Sequence, residues 1–286
     1  MTEAVRVEGL CKRYDAFELE NVGFSVEAGT IAGLVGENGA GKTTTIKAML
    51  GLIRPDAGSV TLLGRPARWD DWRARTHVAY VPDDCCFPTV LCARDVARMM
   101  RGLCPDWRDE RFDALLKRFG LEANKPVKDY SKGMRMKLSI ACALAREPRL
   151  LILDEPTGGL DPVARDDLLD LLQQFVEDER NAVLFSTHIT GDLDKIADSV
   201  TFLHAGRCAL TATRGELLDT AGMARLSAAQ LAQLRPGEAL RVRRERHGCE
   251  ALVRDRAAVL RAHPDWVVEG ASVEEIMLMI AKGEEA

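Results

Sequence analysis

Lys42 and Thr43 close the stretch Gly36-Glu-Asn-Gly-Ala-Gly-Lys-Thr, an ammonium and a hydroxyl behind glycines at 36, 39 and 41. The spacing is that of the phosphate loop, G-x-x-x-x-G-K-[ST]. Glycines there allow positive φ and a close backbone approach, so that successive N–H groups turn inward around phosphate oxygens at a helix N-terminus. In such loops the lysine reaches the β- and γ-phosphates and the hydroxyl ligates Mg²⁺. A second chemical group follows an apolar run: Leu150-Leu-Ile-Leu ends in Asp154 and Glu155. In a phosphate-loop protein the aspartate at that place holds Mg²⁺, and the next acid can orient an attacking water. His188 is a third candidate. A lone histidine is more often structural than catalytic, but this one ends the apolar run Ala182-Val-Leu-Phe185, on the edge expected to carry Asp154.

These groups need a scaffold that brings strand ends together. Ile31 to Val35 before the loop and Thr44 to Leu50 after it read as buried strand and helix. That context disfavours a glycine-rich turn matching by chance. The runs before Asp154 and Ser186 read as further buried strands, with ligands expected at their carboxyl ends. Upstream, Val5 to Val7 and the alternating Val22 to Val26 predict an antiparallel opening. Tyr14 lies between them, and its ring either stacks on a nucleotide base or fills the edge of the core. Ser59 to Leu63 and His77 to Val81 are expected strands, and Trp69 and Trp72 the face of a helix packed on the core. From Thr89 to Arg146 the apolar spacing turns helical, at Val96, Met99, Met100 and Leu103, then Phe112, Leu115, Leu116 and Phe119, then Met136 to Ala145. Pro162 opens a helix with Leu168, Leu169, Leu172 and Val176 inward.

Composition sets outer bounds. The chain has 286 residues, is 47% hydrophobic and 29% charged, and carries a net charge of -5. This is globular composition without an electrostatic case for a nucleic-acid partner. No run approaches the ~18 apolar residues of a membrane span, so a soluble cytosolic chain is expected. The eight cysteines lack a C-x-x-C pair, which predicts reduced, structural thiols.

Between the helical stretch and Asp154 lies Asp129-Tyr-Ser-Lys-Gly-Met134. It is similar to the signature motif, usually L-S-G-G-Q, of ATPase subunits of ABC transporters. Phosphate loop, signature, Asp154-Glu155, Gly159-Leu-Asp161 and His188 follow in that family's order, and the resemblance spans about residues 4 to 213. It implies an α/β fold: a P-loop NTPase core of ABC ATPase type, with a mixed sheet, an antiparallel β subdomain and a helical subdomain over about 89–146. The ATPase domain is then 1–213, and 214–286 a small C-terminal α+β accessory subdomain serving dimer contact or regulation. The resemblance further implies two subunits, in the simplest case identical, enclosing two ATP. One would offer Tyr14 to the base, Asn38, Gly39, Ala40, Gly41, Lys42, Thr43 and Thr44 to the phosphates, and Thr43 and Asp154 to Mg²⁺. The other would offer Ser131, Lys132, Gly133 and Met134 to the γ-phosphate. Glu155 would polarise the water, His188 sense the γ-phosphate, and Asp161 signal across the interface. The partner implied is a separate transmembrane subunit, with the chain peripheral on the cytoplasmic face of the membrane.

The sequence departs from that pattern twice. Asp83 stands where the family usually has a glutamine touching Mg²⁺ and the membrane subunit, which keeps an oxygen but shortens the reach and adds charge. Lys132-Gly-Met134 stands for Gly-Gly-Gln. Tyr-Ser-Lys-Gly-Met resembles ATPases of bacterial exporters with separate membrane subunits, including exporters of antimicrobial or amphipathic peptides. Two other readings compete: a soluble ABC ATPase acting on the ribosome or nucleic acid, and a phosphate-loop kinase. The first would carry a coiled coil or a second cassette, and the second leaves the signature and His188 unexplained. Beyond Arg214, Leu226 to Leu234 predicts a helix, Ala239 to Val242 and Ala251 to Val253 a hairpin around Glu245 to Gly248, and Val273 to Ala281 a closing helix. The basic run Arg241 to Arg246, interspersed with acids, reads as a solvated hairpin face.

Overall fold

The computed structural model describes residues 2–245 and 248–285. The chain opens with β1 (Glu3–Tyr14) and β2 (Phe17–Glu27), then β3 (Ile31–Val35), α1 (Lys42–Met49), β4 (Ala57–Leu62), β5 (Arg65–Pro66) and β6 (Val78–Val81). A helical stretch follows: α2 (Ala93–Leu103), α3 (Asp109–Arg118) and α4 (Lys132–Leu144). Strands and helices then alternate as β7 (Leu150–Asp154), α5 (Pro162–Val176), β8 (Ala182–Thr187), α6 (Thr190–Ile196), β9 (Ser199–His204) and β10 (Arg207–Thr213). The last stretch is α7 (Arg214–Thr220), β11 (Gly222–Leu226), α8 (Ala228–Leu231), β12 (Ala239–Glu245), β13 (Gly248–Val253), α9 (Arg256–Ala262), β14 (Val267–Gly270), α10 (Val273–Lys282) and β15 (Glu284–Glu285).

The central sheet runs β10-β9-β3-β8-β7-β6, parallel except for β10. Its short apolar strands are covered on both faces, and successive side chains go to opposite ones. Ile31, Val35, Leu151, Leu153, Val183 and Phe185 meet the helices α2 to α6 on one side. Ala32, Leu34, Leu150, Ile152, Ala182 and Leu184 meet α1 and the antiparallel sheet β2-β1-β4-β5 on the other. This is the mixed α/β architecture that the sequence predicts. It gathers the carboxyl ends of β3, β7 and β8 at one edge.

Three details differ from expectation. Trp69 and Trp72 are 57% and 71% exposed, beside a single 3-10 turn at Trp72–Arg75. Arg68, Asp70, Asp71, Arg73 and Arg75 leave no apolar stripe to bury there, and Arg75 instead donates to the carbonyls of Asp71 at 2.6 Å and Arg68 at 2.9 Å. Leu103 is 69% exposed, and Trp107, packed on Phe112 with ring centroids 5.0 Å apart, fills the core in its neighbourhood. Leu226 ends a strand rather than opening a helix, because Ser227 and Gln230 form a capping box that starts α8 two residues later, at Ala228.

The C-terminal stretch builds its own sheet, β14-β11-β13-β12-β15, around a small core of Ala224, Val242, Ala251, Val253 and Trp266. The hairpin face carries ion pairs, Arg243 to Glu250 at 2.8 Å and Arg244 to Glu284 at 2.6 Å, while Arg246 and the tip of the expected turn lie outside the described residues. Helix α10 packs on the other face of this sheet, beside Met223 and Leu252. Its Val273, Ile276, Met279 and Ile280 join Leu193, Ile196, Val200 and Phe202 in the main core. Among the described residues no helix is long and apolar enough to cross a membrane.

Candidate nucleotide site

The phosphate loop leaves β3 and enters α1. Gly41, the residue before α1, has φ 110°, and a Cβ there would lie 2.9 Å from Leu19 Cδ1 and 3.0 Å from Phe17 Cζ. Only glycine fits the turn without moving its neighbours. Asn38 and Gly39 are exposed, Ala40 is buried, and Lys42 is 6% exposed. The Lys42 ammonium donates to the carbonyls of Gly36 at 2.8 Å and Glu37 at 3.2 Å, and pairs with Glu155 Oε1 at 3.1 Å. The loop therefore wraps its own lysine.

Asp154 ends β7 directly beside Ser186 on β8, by parallel register. It is 3% exposed, so its charge needs partners. Thr43 Oγ1 donates to Oδ2 at 2.8 Å, and Ser186 Oγ donates to Oδ1. Glu155 then turns out of the strand at φ 49°, a left-handed conformation that costs a residue with a Cβ. Its N–H is held by Ser186, at 3.1 Å to the carbonyl and 3.0 Å to Oγ. So turned, its carboxylate reaches Lys42 on one side and His188 on the other, with Nδ1 at 2.7 Å and the His188 backbone N–H at 3.3 Å from Oε2. The turn beyond Glu155 is pinned by Thr157 Oγ1, which donates to fully buried Asp192 at 2.6 Å, while Arg165 also pairs with Asp192.

In front of these groups lies a cavity of about 630 Å³ lined by Ala16, Phe17, Asn38, Gly39, Gly41, Lys42, Thr43, Thr44, Asp83 and Glu155. Tyr14 does not line it. That ring is 45% exposed under the Lys12 ammonium, 5.6 Å from its centroid, and the aromatic at the cavity is Phe17. Asp83 faces the site, and with Asp154 it acts on half-buried Tyr80, whose hydroxyl is pushed up to about 12 by burial first and then by these two charges. Ser131, Gly133, Met134 and Asp161 are not among the lining residues, while Lys132 touches one of them, its Nζ 3.3 Å from Asp83 Oδ1. Ser131 caps α4 by accepting from Met134 N–H at 3.2 Å. Asp161 caps α5 by accepting from Ala164 at 3.0 Å and Val163 at 3.1 Å, bonds that hold its carboxyl below the usual range.

The arrangement can bind a polyphosphate and a hard cation. Thr43 and Asp154 offer oxygens with Asp83 nearby, a donor set suited to Mg²⁺, which takes its remaining ligands from phosphates and water. Sequence reading did not assign roles to Ser186 or Phe17. Ser186 stands two residues before His188 and opposite Asp154 once the strand order is known, whereas nothing local marks Phe17 over Tyr14.

Comparison with known proteins finds relatives along most of the chain. The sequence model of the family described as "ABC transporter" matches residues 19–158. The ABC-type transporter ATP-binding protein EcsA of Bacillus subtilis is 37% identical over 212 residues, 72% of this chain and 85% of EcsA. The bacitracin transport ATP-binding protein BcrA of Bacillus licheniformis is 31% identical over 210 residues, 72% of this chain and 69% of BcrA. A solved ATP-binding subunit of an ABC transporter superposes with a TM-score of 0.68 at 31% identity, over 75% of this chain and 91% of that one.

Proposed function

Because the chain belongs to the ABC transporter family of ATP-binding proteins, we propose that it hydrolyses ATP at the Lys42, Asp154 and Glu155 site to drive export through a separate transmembrane subunit. Membership makes it an ATP-binding, ATP-hydrolysing transporter subunit. The proposal concerns which residues act and on what. The observation that carries it is the pair of hydrogen-bonded strings at one sheet edge, Thr43–Asp154–Ser186 and Lys42–Glu155–His188.

Asn38 to Thr44 cradle the phosphates with backbone N–H groups, and Lys42 adds a charge-assisted contact. Thr43 and Asp154 hold Mg²⁺, with Asp83 close by; when bound, the ion neutralises charge on the phosphate oxygens. Glu155 then exchanges its contact with Lys42 for a water, whose proton it draws as the oxygen attacks the γ-phosphorus and the bond from that phosphorus to the β,γ-bridging oxygen breaks, leaving ADP and inorganic phosphate. His188 holds Glu155 at the angle for that task. Phe17, the aromatic that lines the cavity, flanks the base. Ser131, Gly133, Met134 and Asp161 do not line this chain's own cavity, which supports their serving the ATP of a second subunit. Residues 214–286 form an accessory subdomain fixed to the ATPase domain, 1–213, through α10.

The Tyr130 to Met134 signature and the bacitracin-transport relative support outward movement of a peptide cargo. Peripheral attachment to the cytoplasmic face of the membrane follows from that partner. The test is Glu155→Gln. It should retain ATP and dimerise while turnover falls by about 10²-fold or more, the usual contribution of a general base; turnover at the wild-type rate would remove Glu155 from this role. Purification from mild-detergent membrane extracts should bring down a multi-spanning partner in equal amount, whereas ribosomal proteins instead would refute transport.

A further inference from the structure

Two of the positions at which the sequence departs from its family's pattern, Asp83 and Lys132, lie against each other. Lys132 opens α4, and its Nζ stands 3.3 Å from Oδ1 of Asp83, which is 49 residues earlier in the loop after β6. The Lys132 stem runs along the turn that follows Glu155. A Cβ at Gly159 would sit 3.2 Å from its Cδ, and one at Gly158 would sit 4.0 Å from its Nζ. One side chain thus touches the helical layer, the Asp83 loop and the turn beyond the catalytic strand.

Charge explains why the pair matters. Asp83 and Glu155 line the cavity that would receive the phosphates of ATP, and buried Asp154 lies behind Thr43. Glu155 has Lys42 at 3.1 Å, Asp154 has two hydroxyls, and Asp83 has Lys132. A neutral glutamine and a neutral glycine in the two places would give the same local sum as this aspartate and lysine. Asp83 without Lys132 would set a bare carboxylate against incoming phosphate. Lys132 without Asp83 would leave a cation free beside the turn that carries Glu155.

We propose that Lys132 is a positioning residue that holds Asp83 and cancels its charge, so that the lysine–aspartate pair replaces the family's glycine–glutamine combination as a unit. The inference rests on the nucleotide site proposed above. Lys132 acts here through Asp83 within one chain.

The test is a double-mutant cycle of steady-state ATPase on the full-length protein: Lys132→Gly, Asp83→Gln and both together, with KM for Mg-ATP read at low and high KCl. Lys132→Gly should raise KM about 2–5-fold at low salt, the range of a partly exposed pair. The double variant should return to within about twofold of wild type. The coupling should shrink at about 0.5 M KCl, where exposed charges are screened. Lys132→Gln, which keeps the stem over Gly159 and removes the charge, should reproduce the KM rise of Lys132→Gly. Single effects that simply multiply, a coupling indifferent to salt, or a wild-type KM in Lys132→Gln would each overturn the pairing. Lys42→Ala separates the two readings. If it binds ATP like wild type, the nucleotide site itself is misassigned; if it loses ATP while the cycle is multiplicative, only the pairing fails.

Discussion

Ser186→Ala should damage both stability and catalysis, although Ser186 touches no phosphate in the proposed mechanism. Its hydroxyl donates to Asp154, a carboxylate 3% exposed, and accepts the N–H of Glu155 at 3.0 Å. Removing a donor to a buried charge costs about 1.5–3 kcal/mol. The Glu155 N–H keeps the Ser186 carbonyl at 3.1 Å, so that second loss is small. A total of about 2 kcal/mol corresponds to a fall in Tm of roughly 4–8 °C for a chain of this size. The catalytic effect comes from geometry. Glu155 sits at φ 49°, a conformation its neighbours must impose, and the hydroxyl is one of two atoms imposing it. Loosening that peptide lets the carboxylate drift, and misplacement on the order of 1 Å costs up to about 10²-fold in rate. The assay is thermal unfolding beside steady-state ATPase, with kcat expected to fall at least about tenfold and more than KM rises. A variant within about 0.5 kcal/mol of wild type, as an ordinary surface change would be, and with unchanged kcat would refute the role given to Ser186.

Two further outcomes test the caps and the C-terminal stretch. The Asp161 carboxyl lies below its ordinary 3.8, first because Ala164 N–H donates to it. A depressed folded value means that its support of α5 is present above the unfolded value and is lost as pH falls through the folded one. Asp161→Asn keeps a capping oxygen without titrating, so the Tm advantage of wild type over the variant should shrink between about pH 5 and pH 2; a constant difference would contradict the cap. Ile276 is fully buried in the main core, and Ile276→Ala should cost about 2–5 kcal/mol. Calorimetry should show the whole chain unfolding at a lower temperature in one transition. Early melting of residues 214–286 alone would show that α10 is not joined to the ATPase core.

What the sequence determined by itself is local. The glycine spacing around Lys42 requires a phosphate-binding turn, because positive φ at Gly41 and Gly39 is open to few other residues. The short apolar runs before Asp154 and Ser186 predict strands buried on both faces, and the capping residues mark where helices begin. Order and spacing of these pieces were enough for the family. What fails locally is also instructive: Trp69 and Trp72 read as core on hydrophobicity, yet the charges between them leave no buried face.

Tertiary structure decided everything that depends on register between distant segments. Thr43 meets Asp154 across 111 residues, Ser186 meets Asp154 across 32 and Lys132 meets Asp83 across 49. Parallel pairing of β7 with β8 puts Ser186 opposite Asp154, and a shift of one residue would turn its hydroxyl to the other face. Phe17 rather than Tyr14 reaches the cavity because the β1–β2 hairpin folds over the loop at that residue. Helix α10 joins the main core, together with Met223 and Leu252 from one face of its own sheet, rather than the small core on that sheet's other face. No periodicity in its sequence distinguishes the two, since an apolar face records that it is buried and not against what.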